Sequence, residues 1–162
     1  MTTMPSAAVP SGGFKWIFLS HRGRATRSQW WLWGVVGLTI ANMVLLFIAG
    51  LIDLMLGMSI PALLGYGPVS IIVSLALIYF SIAITGKRWH DRNKSAWWNL
   101  LWLIPALLAA PLTIMSFMAS PSLGHWVLAI LFIGVIWTLV ECGFLRGTAG
   151  DNRYGPDPLA GK

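Results

Sequence analysis

The side chains best placed to do chemistry gather between Gly86 and Trp98, in the run Gly-Lys-Arg-Trp-His-Asp-Arg-Asn-Lys-Ser-Ala-Trp-Trp. Four of the eleven basic residues lie there, Lys87, Arg88, Arg92 and Lys94, around the adjacent pair His90 and Asp91. A histidine beside an aspartate invites a general-base reading. Neighbours on a helix point about 100° apart, so the two cannot form a dyad on one, although in a loop they could. The preferred reading is structural, with Asp91 paired to an arginine or capping a helix and His90 in the membrane interface. No catalytic residue is assigned. Metal chemistry finds no support either. His21 and His90 could meet, but His125 is expected across a hydrocarbon core of about 30 Å. The single cysteine, Cys142, allows no intrachain disulfide and argues against a Cys-based zinc site. No metal or cofactor is therefore expected.

Two further features carry charge into unusual places. Glu141 falls well inside an apolar run, roughly 6 Å from its end at 1.5 Å per residue. Intramembrane acids are functional candidates, but an ion pair with Arg24, Arg88 or Arg146 is the simpler expectation. The segment after Arg146 is rich in Gly, Pro, Asn and Asp. Its successive turns can aim backbone N–H groups at an anion. The candidate cluster therefore comprises Arg22, Arg24, Arg27, Arg88, His90, Asp91, Arg92, Asn152, Arg153 and Tyr154, with Glu141 as the candidate intramembrane acid. It reads either as a pocket for a phosphate or lipid headgroup or as a staple that holds three motifs together.

Composition says what must position these groups. Of 162 residues, 57% are apolar and only 10% charged, against about 25% charged in soluble domains. The positive balance, +6, is interleaved with long apolar runs and forms no basic face, so nucleic acid is not an expected partner. Residues 1–13 read as a disordered tail and carry no signal-peptide pattern. Residues 14–158 read as one membrane domain and 159–162 as its end. Phe14 to Leu19 is too short to span and suits an interfacial turn. Spans are expected over about 30–52, 68–85, 97–118 and 125–145, each near the length that crosses a bilayer. Ser28 is expected to cap the first, and Pro105 and Pro111 to disturb the third. All eleven Lys and Arg residues then fall on one side, which the positive-inside rule makes cytoplasmic, with both termini.

Small residues mark helix contacts in lipid. Gly34, Gly37 and Ala41 line one face, Ser70, Ser74, Ser81 and Thr85 another, and Gly134, Thr138 and Cys142 a third. The hydroxyl face could line a solute path, but helix contact is preferred. Asn42 stands as the main buried polar group at mid-depth. Arg27-Ser28-Gln29-Trp30-Trp31 echoes Lys94-Ser95-Ala96-Trp97-Trp98, which either marks two hairpin repeats or reflects what any helix starting at the cytoplasmic interface needs. The fold class is all-α: four transmembrane helices in an antiparallel bundle.

Three patches resemble the bacterial family called domain of unknown function 805, small multi-pass inner-membrane proteins. They are Gly23 to Trp31, Lys87 to Trp98, similar to the family's Arg-Arg-Leu-His-Asp and Ser-Gly-Trp motifs, and Gly147 to Pro158, similar to its Asn-x-Tyr-Gly and Asp-Pro tail. Gln29, Trp89 and Ala96 depart from the family's usual Glu, Leu and Gly. The resemblance implies an inner-membrane location and brings no activity, catalytic residue or cofactor. The expected function is a non-enzymatic scaffold whose cytoplasmic cluster binds anionic phospholipid headgroups, a second copy or another membrane protein. The alternatives are a small transporter or channel using Glu141, and an enzyme acting on lipid phosphates.

Overall fold

The computed structural model describes residues 13–58, 67–105, 107, 118 and 120–160. The expected N-terminal tail apart from Gly13, the middle of the expected first connector, and Pro111 with most of the second half of the expected third span lie outside them. Every regular element among the described residues is helical. A short turn, Lys15–Leu19, precedes a continuous helix α1, Arg27–Met55. Helix α2 is Pro68–Asp91. Helix α3 opens with a tight turn, Ala96–Asn99, and is helical to residue 105. Helix α4 is Pro121–Leu139, running on into a widened turn, Val140–Phe144. With 29 and 24 residues, α1 and α2 are long and apolar enough to cross a membrane.

Thr26, not Ser28, caps α1. Its hydroxyl accepts the Gln29 N–H while the Gln29 side chain accepts the Thr26 N–H. This reciprocal arrangement satisfies two orphan donors at once, which Ser28, already inside the first turn, cannot do. A neutral amide at position 29 performs it, so no acid is needed there. Residues Trp30–Gly37 form a wider, π-helical turn. From it Trp30 Nε1 donates to Thr85 Oγ1 on α2 at 3.3 Å, and Trp31 Nε1 to the Gly143 carbonyl on α4 at 3.1 Å.

The far end of the α1–α2 hairpin is held by one carboxylate. Asp53 is 0% exposed and accepts the Val69 N–H at 2.9 Å, the Ser70 N–H at 2.9 Å and the Ser70 hydroxyl at 2.7 Å. A side chain of α1 thus caps the N-terminus of α2, where the helix dipole favours negative charge. Pro68 suits this first turn because its missing N–H would have had no helical partner. Gly67 is obligatory, since a Cβ there would overlap the Asp53 carboxylate.

Between these ends the hairpin packs through Gly34 on Ile84 and through buried Leu38, Ala49 and Leu77. Ser74 and Ser81 donate back to the carbonyls of Ser70 and Leu77, four residues earlier. Two members of the hydroxyl face are therefore self-bonded, while Ser70 and Thr85 join α2 to Asp53 and Trp30 of α1. Asn42, expected to be buried, is exposed on α1. On α4, Gly134 lies so close to the Leu101 carbonyl that a Cβ would overlap it. Phe132, Ile133, Val135, Ile136 and Trp137 are exposed, an apolar surface suited to hydrocarbon.

Helix α2 runs six residues past its expected end, through Gly86 to Asp91. The last turn is polar but lies within protein, with Lys87 and Arg88 0% exposed. Asn93, at φ 56°, then reverses the chain, and Ser95 caps the turn that opens α3. The two Trp-Trp motifs are not structural equivalents at their starts. Ser95 is a cap, whereas Ser28 sits two residues inside the helix that Thr26 caps.

Replacing Asp53 by Ala strands two backbone N–H groups and a hydroxyl at a buried helix end. It should lower stability by roughly 2 kcal/mol or more, read as thermal unfolding in detergent. Asp53→Asn should recover part of the loss. An unchanged midpoint for Asp53→Ala would contradict this role.

Candidate functional site

At the opposite end of α2, Asp91 lies between two buried arginines. Its Oδ1 accepts Arg24 Nε at 3.0 Å, and its Oδ2 takes Arg88 Nη1. The Arg24 side chain is 1% exposed and the Arg88 side chain 0%. The two guanidiniums direct their other nitrogens at backbone carbonyls. Arg24 reaches Gly150 and Thr148, both at 2.6 Å, and Arg88 reaches Cys142 at 2.7 Å and Leu145 at 2.5 Å. The Asp91 carbonyl in turn accepts the Thr148 N–H at 2.8 Å and hydroxyl at 3.0 Å. One knot therefore joins the segment before α1, the end of α2, the end of α4 and the tail. Gly147 permits the approach, since a Cβ there would overlap the Asp91 carboxylate. Gly150, at φ 72°, turns the tail back.

Lys87, not among the expected site residues, performs a similar task. Its ammonium donates to the carbonyls of Trp16, Ile17 and Ser20 at 2.5, 2.8 and 2.6 Å and lies 4.9 Å from the Trp16 ring centroid. Three donors meet three acceptors at the end of the Lys15–Leu19 turn, where helical carbonyls lack partners. That turn packs Phe18 against Phe80 and Trp33. The signal was legible as phase: Leu77, Ile84, Arg88 and Asp91 follow one helical stripe, with Lys87 beside it.

His90 and Asp91 point apart, as their helical positions require. His90 Nδ1 lies 3.2 Å from the Gly23 carbonyl, and its ring stacks on Tyr154 at 3.9 Å. Asn152 donates to the His90 carbonyl at 2.9 Å. Arg153 reaches the Asn93 carbonyl and lies over the Tyr154 ring. His21 instead meets the Tyr79 hydroxyl. Among the described residues no group of three or more His, Cys, Asp or Glu could hold a metal.

Glu141 is buried and ion-paired, but with Arg92 Nε at 2.7 Å and Lys94 Nζ at 2.8 Å. The expected partners Arg24 and Arg88 are committed elsewhere, and Arg146 offers its carbonyl to Arg92 at 2.7 Å. The turn after α2 carries Arg92 and Lys94 to the rim, closer to Glu141 than helix phase alone indicates. Arg22, Arg27 and Arg146 remain exposed, Arg27 with one bond to the Phe144 carbonyl. In the tail, hydrogen bonds from the Leu159 and Gly150 N–H groups hold the Asp157 carboxyl below the usual carboxylate range. The arrangement thus separates buried cations, whose donors face carboxylates and carbonyls, from an exposed arginine rim.

Asp91→Ala should be among the most damaging single changes. It leaves two buried guanidiniums without their counter-charge, a loss of about 3–5 kcal/mol for a broken buried pair. Thermal unfolding should show it, and a double-mutant cycle with Arg24→Gln should give strong coupling. Additive effects would remove the clasp.

The chain matches the family model described as a protein of unknown function, DUF805, over residues 18–156. It is 31% identical over 141 residues to the inner membrane protein YhaH of Escherichia coli K12, covering 87% of this chain and 88% of the relative. It is 30% identical over 147 residues to the uncharacterized protein YiiR of the same strain, covering 88% of each. Inner membrane protein YhaI is 26% identical over 144 residues, 89% of this chain and 90% of the relative. No solved structure matches. The match includes the Asp91 clasp, most of the tail that closes over it and both long apolar helices, and the chain belongs to the DUF805 family.

Proposed function

We propose that the protein is a non-enzymatic scaffold of the bacterial inner membrane with four spans and cytoplasmic termini. Its clasp fixes the cytoplasmic end, and its exposed arginine rim engages anionic phospholipid headgroups. The observation that carries this reading is the division among the cations. Arg24, Lys87 and Arg88 are buried with their nitrogens on internal acceptors, whereas Arg22, Arg27 and Arg146 are exposed, Arg27 on the carbonyl of exposed Phe144. The inner-membrane names of two relatives support the location, and the one-sided distribution of Lys and Arg supports the orientation.

The geometry favours this over the other readings. A general base needs a ring nitrogen within reach of a substrate proton, and the His90 ring is buried, stacked on Tyr154 with Nδ1 on a backbone carbonyl. A coupling acid needs to change partners across the membrane, and Glu141 is held by two cations at the rim.

Cysteine labelling tests the topology. Cys142 is buried and leaves a quiet background. An impermeant reagent on intact spheroplasts should reach Met58→Cys and Ser122→Cys but not Ala149→Cys. Labelling at Ala149→Cys alone would invert the orientation. Lipid retention tests the rim. At about 1 kcal/mol per surface cation, the combined Arg22→Gln, Arg27→Gln and Arg146→Gln variant should lose most anionic lipid seen by native mass spectrometry, with an unchanged melting midpoint. Equal retention by wild type would refute the rim.

A further inference from the structure

Helix α1 carries an amide that its own fold leaves unused. Asn42 is exposed and makes no hydrogen bond with any described residue. It stands near the midpoint of Arg27–Met55, about 20 Å from either end at 1.5 Å per residue. A side chain as short as asparagine cannot snorkel that far to water. Lipid tails offer it neither donor nor acceptor, and an unpaired amide in hydrocarbon is costly.

The neighbouring helix does not relieve it. Asp53 meets Ser70 at one end of the α1–α2 contact and Gly34 meets Ile84 at the other. Between those levels Ser74 and Ser81 are the hydroxyls of α2, and each is spent on a carbonyl of its own helix. On α1 itself only Leu38, Ala49, Gly50 and Asp53 are buried between Leu38 and Met55. Thr39, one turn before Asn42, is exposed and equally without a hydrogen bond to any described residue. Most of the circumference of α1 is thus open to a further helix, and the polar group that such a helix must satisfy lies at mid-depth.

We propose that α1 pairs with α1 of a second copy of this chain, with the two Asn42 side chains hydrogen-bonded to each other across a two-fold axis along the membrane normal. An amide is both donor and acceptor, so two of them form a self-complementary pair, as an isologous contact requires. Copies inserted with the same topology hold residue 42 at equal depth. A different membrane protein would need a polar group at that level, whereas a second copy carries one by construction. Interhelical hydrogen bonds from asparagine are an established source of helix association in lipid. The face lies about 20 Å from Arg27 of the rim and does not depend on it.

The full chain, labelled with a fluorophore and placed in phospholipid vesicles at a series of protein-to-lipid ratios, reads the association as subunits co-localised in single vesicles. Wild type should move from monomer to dimer as the ratio rises. Asn42→Leu should associate about tenfold more weakly, with an unchanged unfolding midpoint in detergent, because the amide has no partner within the monomer. Asn42→Gln, which keeps the amide, should recover association. Oxidation maps the face, since native Cys142 is buried. Thr39→Cys should cross-link to its copy, and Val44→Cys, about 200° around the helix from Asn42, should not. Wild type that stays monomeric at every ratio would overturn the proposal, and would leave the amide to a different partner. So would a dimer that Asn42→Leu forms equally well, or one that cross-links through Val44→Cys and not through Thr39→Cys.

Discussion

A guanidinium cannot shed its proton to escape burial. That fact governs the clasp end. Arg24 and Arg88 are buried with one carboxylate, Asp91, between them, so their remaining N–H groups must find neutral acceptors. The acceptors are carbonyls of residues 142, 145, 148 and 150. The end of α4 and the start of the tail therefore close over α2, because no water reaches these donors. Gly147, the αL turn at Gly150 and the extension of α2 to Asp91 all follow from that demand.

The two ends of α2 use carboxylates differently. Asp53 faces backbone N–H groups and completes a helix. Asp91 faces cations and completes a charge set. Both are buried, and both bring together residues distant in sequence. Neither is free to accept a proton from a substrate, and His90 is bound within the same knot. The polar residues that first suggest an active site are thus engaged in holding helices, and the exposed cations lie outward, at the arginine rim.

Much of this was legible in the sequence, for reasons that differ by residue. The two long apolar helices follow from hydropathy alone, and the pairing of Asp91 with an arginine from the bases that surround it in the run from Lys87 to Lys94. Ser28 adjoins the apolar run and so resembles the cap of α1, whereas Thr26 and Gln29 satisfy each other's backbone. Hydropathy falls at Gly86 and marks an end to α2 there, yet polar residues remain helical to Asp91 where protein, not water, surrounds them. Depth along a helix says nothing of facing, so the mid-run position of Asn42 does not reveal its exposure. Helical phase sets Lys87 beside the buried stripe, but its carbonyl partners leave no mark in a sequence, so its role needs the structure.

The Lys87 contact also bears on the order of biosynthesis. Its acceptors Trp16 and Ser20 precede it by 71 and 67 residues. The N-terminal turn is translated first, yet its last carbonyls have no cation to receive them until the whole of α2 has left the ribosome. The tail arrives later still, and only then can Arg24 fill its donors. A segment made early is therefore among the last to be locked, and a chain halted before residue 148 would hold its hairpin with the clasp end still open.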